Sequence, residues 1–264
     1  MPRGISQSAM SIYRNCPYAY KIRYIDGHKP IFFAPQILDI GKYVHDAIDR
    51  YYKNHFLTEG TADDVLAKSY GHLREIWDTT LQPEDLKKGY ICLQNHALWE
   101  ANNINNGIRT QPLSEVQINS EGYFGIIDYI DVPNKKVIDW KTGRKPYLSY
   151  IYRMQAHVYK VLYESKFGEK LSYFDFFFLY ANDWRRVKYD SDKQIKVGEE
   201  VERLKNEILN SIQNQEFAKQ PRTDSMCKNC EYKLYCKIIG GEIDAEEKGE
   251  EGVRGIETKE NAES

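Results

Sequence analysis

Three observations predict an α/β protein with a mixed sheet flanked by helices. The N-terminal half is dominated by helical periodicity. Residues 113–141 hold three short segments rich in β-branched and aromatic side chains, and the chain beyond them alternates helix, strand and helix. A hydrophobic fraction of 41% and a charged fraction of 29% are those of a globular chain, and 264 residues are enough for one sizeable core with insertions. The predicted layout is a single domain over residues 1–239 with a helical insertion at about 55–110, followed by a tail at 240–264.

The elements follow from local pattern. SQSAMSIYRNCPYAYKIRYI predicts a short helix broken at Pro17 and a second amphipathic stretch through Ile25, and DGHKP reads as a turn. From about Ile37, the residues Leu38, Val44, Ile48, Tyr51 and Tyr52 recur at intervals that a helix gathers on one side. Thr61 to Asn106 holds two further helical patterns, parted at Gln82-Pro83. LSEVQINS, GYFGIIDYIDV and KKVIDWKT form a predicted three-stranded meander with turns at Ser120-Glu121 and Pro133-Asn134. A helix is expected from about Ser149 to Phe167. SYFDFFFLYA suits a strand buried on both faces, and RRVKYD suits an edge strand. The segment from Asp192 to Gln215 predicts a long charged helix with Ile195, Val201, Leu204, Ile208 and Ile212 inward.

The net charge of −2 is unevenly spread: residues 241–264 carry nine acidic against three basic side chains, which leaves the rest of the chain mildly basic. That acidic, apolar-poor tail is expected to stay disordered. The basic remainder permits a nucleic-acid partner. No apolar run approaches the roughly 20 residues of a membrane span, and the first residues lack the apolar core of a secretory signal. A soluble cytoplasmic protein without a membrane partner is the expectation.

Five cysteines, Cys16, Cys92, Cys227, Cys230 and Cys236, are an odd number for a disulfide framework. Cys227, Cys230 and Cys236 follow a C-x₂-C-x₅-C spacing, and the remote Cys16 completes a set of four thiolates that zinc or an iron-sulfur cluster accepts. Cys92, inside a helical pattern, reads as an ordinary buried thiol.

Chemistry concentrates in GIIDYIDVPNKKVIDWKTG, residues 125–143. Asp128 and Asp139 end consecutive predicted strands, and Lys141 lies two residues beyond Asp139 on the same strand face. Carboxylates supply hard oxygen ligands for a divalent cation, and a lysine orients or helps deprotonate an attacking water, which is the equipment for hydrolysing a phosphodiester. Gly125 and Thr142-Gly143 bracket the acids where backbone is expected to approach a ligand closely. Glu115, on the adjoining strand, is read as an outer supporting residue.

These blocks resemble, in order, those of the PD-(D/E)XK nuclease superfamily, and specifically its RecB-like iron-sulfur branch. That branch includes the AddB nuclease domain and the CRISPR-associated exonucleases of the fourth Cas family. SQSAMSIYRNCPYAYKIRYI is similar to the family's opening, GKYVHDAID to its histidine block, GIIDYID and VIDWKTG to its second and third blocks, MQAHVYKVLY to its Gln-x-x-x-Tyr helix, and CKNCEYKLYC to its closing cysteines. The resemblance implies a restriction-endonuclease-like mixed sheet and an iron-sulfur subregion built from about 1–25 and 217–239. It makes His45, Asp128 and Asp139 metal ligands for Mn²⁺ or Mg²⁺, with manganese preferred, and Lys141 the catalytic lysine. Gln155 and Tyr159, four apart on one helix face, would stand beside the site. Cys16, Cys227, Cys230 and Cys236 would hold a [4Fe–4S] cluster in preference to zinc, stapling the two ends of the chain together.

The expected activity is that of a metal-dependent DNA exonuclease acting on single strands or overhanging ends, in CRISPR adaptation beside integrase proteins, or in repair or recombination with a helicase in trans. The competing reading is a non-catalytic module that grips DNA ends through a Cys₄ zinc or iron-sulfur site. Arg144 and Lys145, directly after the catalytic strand, are placed for phosphate contact. Most of the 21 tyrosines read as core or boundary residues, although Tyr147, Tyr150 and Tyr152 sit near basic side chains as base-stacking surfaces do.

Overall fold

A computed structural model describes residues 4–30, 35–76, 82–107 and 110–239, with side chains from Ile40 onward in the third helix. The acidic segment 240–264 and the side chain of Leu38 lie outside the described residues. The described chain forms two compact units, one from residues 4–11 and 35–210 and one from 12–30 and 211–239.

The larger unit is built on a five-stranded sheet in the order β1 (Leu113–Ser120), β2 (Tyr123–Asp131), β3 (Lys136–Lys141), β4 (Tyr173–Phe178), β5 (Asp183–Lys188). The first three strands are an antiparallel meander. β4 runs parallel to β3, and β5 closes the far edge antiparallel. The parallel step needs a crossover, and the helix Tyr150–Phe167 supplies it. Ser149 caps this helix by accepting from the Tyr152 amide, and Gly168 ends it at φ 71°. The β1–β2 turn is Glu121-Gly122, with φ of 53° and 76°, one residue later than expected. Two consecutive positive-φ residues give the twist that a two-residue hairpin needs, and Gly122 meets that need where Ser120 does not.

In chain order the helices are α1 (Gln7–Asn15), α2 (Pro17–Tyr20), which passes into a π-helical turn at Lys21–Ile25, α3 (Pro35–Asn54), α4 (Ala62–Ile76), α5 (Pro83–Asn105), α6 (Tyr150–Phe167), α7 (Asp192–Asn214), α8 (Asp224–Lys228) and α9 (Lys233–Ile239). One face of the sheet packs on α3, α4 and α5 through a core containing Val44, Ile48, Tyr51, Tyr52, Leu73, Leu93, Tyr129, Ile138, Trp140 and Phe177. The opposite face meets α6, where Tyr159 lies against Phe174 and Tyr152 against Phe176 and Phe178. β4 is buried along nearly its whole length, as its unbroken apolar run predicts. In α7, Val197, Val201, Leu204 and Ile208 are buried, whereas Ile195 and Ile212 are 48% and 40% exposed. The inward stripe is therefore shorter than the full row of apolar residues suggests, and the two outer isoleucines fall beyond its reach.

Gly125 has a role different from ligand approach. A Cβ there would lie 2.8 Å from atoms of both Tyr159 and Leu162, so its bare backbone is what lets α6 seat on β2. Gly125→Ala is expected to lower stability by about 1–3 kcal/mol through overpacking. Urea unfolding checks this, and a midpoint equal to wild type would show that α6 yields freely at this point.

Candidate active site

The alternation of β3 sorts its side chains. Ile138 and Trp140 enter the aromatic core with Trp99, Tyr129 and Phe177, and this turns Asp139 and Lys141 toward α6. There Lys141 Nζ lies 2.6 Å from Asp139 Oδ2 and donates to Gln155 Oε1 at 3.0 Å. Gln155 Nε2 donates to Asp139 Oδ1 at 2.6 Å and to the Tyr159 hydroxyl at 3.2 Å. The four residues form a closed set: Gln155 is fixed from both ends of its amide and in turn fixes the lysine. The ring of Tyr152 lies 4.6 Å from the ammonium and covers it.

β2 brings the second acid. The β2–β3 ladder ends at Tyr129–Ile138, and the next amide, that of Trp140, donates instead to Asp128 Oδ2 at 2.7 Å. The carboxylate thus takes the place of a ladder carbonyl and is aimed by the strand beside it. Its other oxygen, Oδ1, is 3.5 Å from His45 Nδ1. His45 stands on α3 one turn after Gly41, where a Cβ would come within 3.2 Å of Thr142 Oγ1, so this helix lies close to the end of β3.

Glu115, read from sequence as an outer residue, enters this group directly. Its Oε1 lies 3.6 Å from His45 Nδ1, and His45, Glu115 and Asp128 each offer a ligand atom within 4.8 Å of the others. The sequence held a signal for this. Counting back from a Glu121-Gly122 turn sets Glu115 opposite Asp128, whereas a turn at Ser120-Glu121 sets Leu113 there. Asp128 and Asp139 lie inside their strands, not at the ends expected.

The electrostatics follow from burial. Asp128 and Asp139 are 6% and 2% exposed. Burial pushes the Asp139 carboxyl up to about 6 against the pull of Lys141, with Asp128 adding to the rise. Burial opposes charge on Lys141 as well, but Asp139 and Asp128 outweigh it and hold the lysine above its ordinary value as an ammonium. Burial likewise opposes charge on His45, and contacts with Asp128 and Glu115 overcome it, raising the imidazole well above 6.5.

The family model of the PD-(D/E)XK nuclease superfamily matches residues 4–237. The chain belongs to this superfamily. Among solved structures, the crystal structure of a "putative exonuclease" from Eubacterium rectale is similar over 86% of this chain and 88% of its own, with 17% identity and a TM-score of 0.53. At that identity the likeness is one of fold. No curated protein sequence matches. PD-(D/E)XK nucleases use divalent metals, and the imidazole and carboxylates of His45, Glu115 and Asp128 are a donor set that fits one.

A second group of candidate residues lies in the smaller unit. Cys16, Cys227, Cys230 and Cys236 all line one cavity of about 640 Å³, together with Ile22 and Tyr232. The cavity walls come from both segments of this unit, joined by the Tyr18 amide on Ala218 O and the Arg222 amide on Asn15 O. Burial raises the Cys230 thiol, and the proximity of Cys16 and Cys227 raises it further. Cys236 behaves alike. The cavity gathers all four cysteines, but among the described residues no three of their sulfur atoms lie within 4.8 Å of one another, so a shared metal group requires these side chains to close on it. Cys92 is fully buried in the larger unit, as expected.

An imidazole ligates a metal only in its neutral form, and that of His45 in the metal-free site stays protonated above pH 6.5. Mn²⁺ affinity is therefore expected to rise by about tenfold per pH unit across the range in which His45 is charged, with release of one proton. Calorimetric titrations in buffers of different ionisation enthalpy measure both; a pH-independent affinity would remove His45 from the ligand set.

Proposed function

We propose that this PD-(D/E)XK nuclease is a metal-dependent DNA exonuclease that trims single strands or overhanging ends, with a [4Fe–4S] cluster bracing its smaller unit. The observation that carries the reading is the half-buried Lys141 ammonium, held by Asp139 and Gln155 on the side of the sheet where Asp128 meets His45. His45, Asp128 and Asp139 would hold the cation, and the mixture of imidazole and carboxylate favours Mn²⁺ at least as much as Mg²⁺. A bound cation supplies a water of lowered pKa and a Lewis acid for the phosphoryl oxygens.

The chain's own side chains do the rest. Lys141, kept charged by its carboxylate neighbours, donates to the attacking water or to a phosphate oxygen and offsets the charge that builds on the phosphorus. Gln155 holds that ammonium in direction by accepting from it while donating to Asp139, and Tyr159 fixes the far side of Gln155. Beyond β3, Arg144 lies over the Tyr180 ring at 5.3 Å, and Arg144 and Lys145 are exposed. Tyr147, 72% exposed on the same loop, offers a face for an unpaired base beside these two cations. The loop is pinned where Arg185 Nε donates to Pro146 O at 2.9 Å.

A labelled single strand incubated with Mn²⁺ tests the activity. Wild type is expected to degrade it, with Asp139→Ala and Lys141→Ala slower by at least about a hundredfold, since each removes transition-state stabilisation. Absence of cleavage by wild type, or equal cleavage by all three, would favour a module that only binds DNA ends.

For the cysteines, anaerobically purified wild type is expected to absorb broadly in the visible. Cys230→Ala should be colourless and melt at a lower temperature. A colourless wild type points to zinc, and a brown variant of undiminished stability would remove the bracing role.

A further inference from the structure

We infer that Glu115 is itself a ligand of the catalytic metal, and that the irregular backbone at this residue serves to deliver its carboxylate. The inference rests on the metal-dependent reading above and adds to it a donor from a fourth element, β1.

The geometry comes first. Glu115 Oε1 and Asp128 Oδ1 lie 3.6 and 3.5 Å from His45 Nδ1. Adjacent ligands at about 2.1 Å from an octahedral ion stand roughly 3 Å apart, so small side-chain closures complete the set. Asp139, by contrast, has both its oxygens occupied, by Lys141 and Gln155 at 2.6 Å each. Glu115 carries no comparable commitment: among the described residues its carboxylate pairs with His45.

The backbone is the independent observation. Glu115 has φ 48° in the middle of a strand, a left-handed conformation that favours glycine. The β1–β2 ladder is continuous on both sides but lacks the Glu115–Asp128 pair. On β2, Gly125 faces Tyr159 of α6 while Tyr129, four residues on, packs against Trp99 of α5 on the opposite face. Four residues should return a strand to the same face, so the period of two breaks between them, at the level of Glu115. A strained residue at a break in the sheet, carrying a carboxylate toward an imidazole and a second carboxylate, is the pattern expected of a functional donor.

The test measures metal, not turnover. Mn²⁺ binding by calorimetry and the visible spectrum of the Co²⁺ complex are compared in wild type, Glu115→Gln and Asp128→Asn, with melting of the metal-free proteins as the control for folding. Glu115→Gln is expected to weaken Mn²⁺ by at least about tenfold and to change the Co²⁺ bands while melting cooperatively. Should the glutamine variant misfold, Glu115→Gly, which accepts the positive φ, gives the same readout. Unchanged affinity overturns the inference, and so does weakened binding with an unaltered Co²⁺ spectrum, which would make Glu115 a positioning residue. If wild type binds no Mn²⁺, the metal-dependent reading itself fails. If Asp128→Asn abolishes binding and Glu115→Gln leaves it intact, only the role of Glu115 fails.

Discussion

Burial of the Trp140 indole among Trp99, His96, Tyr129 and Phe177 fixes the rotation of β3, and with it the direction of everything that lies on the other side of the strand. A large aromatic side chain in a close-packed core has few alternative positions. Its neighbours Asp139 and Lys141 must then point at α6, and the amide of Trp140 must present itself to Asp128. The aromatic face is thus the mould for the polar one. A change in packing around Trp140 would be felt as misdirected carboxylates before it was felt as lost volume.

The polar face is arranged against its own stability. Glu115, Asp128 and Asp139 are set against His45 and Lys141, so when all are ionised one negative charge is left over in a poorly solvated pocket. Burial raises the Asp139 carboxyl to about 6, and the neighbouring Asp128 charge adds to that rise. A doubly charged cation removes the excess charge, which ties the site's affinity for metal to the strain of leaving the pocket without one. Gln155 adds direction without adding charge, as a pocket already crowded with ions requires.

Much of this was legible in the sequence because strand alternation is local. The order of elements, the three-strand meander, the crossover after β3 and the pairing of Asp139 with Lys141 all follow from periods of two and of 3.6. Spacing put Gln155 and Tyr159 on one helix face, and only the resemblance of MQAHVYKVLY to the superfamily's Gln-x-x-x-Tyr helix set that face beside the site. What was not legible depended on register and on irregularity. Placing the β1–β2 turn one residue early moves the residue set opposite Asp128 from Glu115 to Leu113, so a neighbour of His45 looked remote. The need for Gly125 is likewise tertiary: nothing in GYFGIID announces that Tyr159 and Leu162 will press against that carbon. The exposed Ile195 and Ile212 show the reverse, an apolar row longer than the surface available to cover it.

The smaller unit draws its cavity from residues near both ends of the described chain, Cys16 and the trio from Cys227 to Cys236. During synthesis the first thiol leaves the ribosome long before its partners. At about 5–20 residues per second, the intervening stretch takes roughly 10–40 s to make. The sheet has time to form in that interval, while Cys16 stands alone and open to oxidation or to capture by a stray metal. Assembly of this unit is therefore a question of timing as much as of packing, and an oxidising environment would act on the nascent chain first.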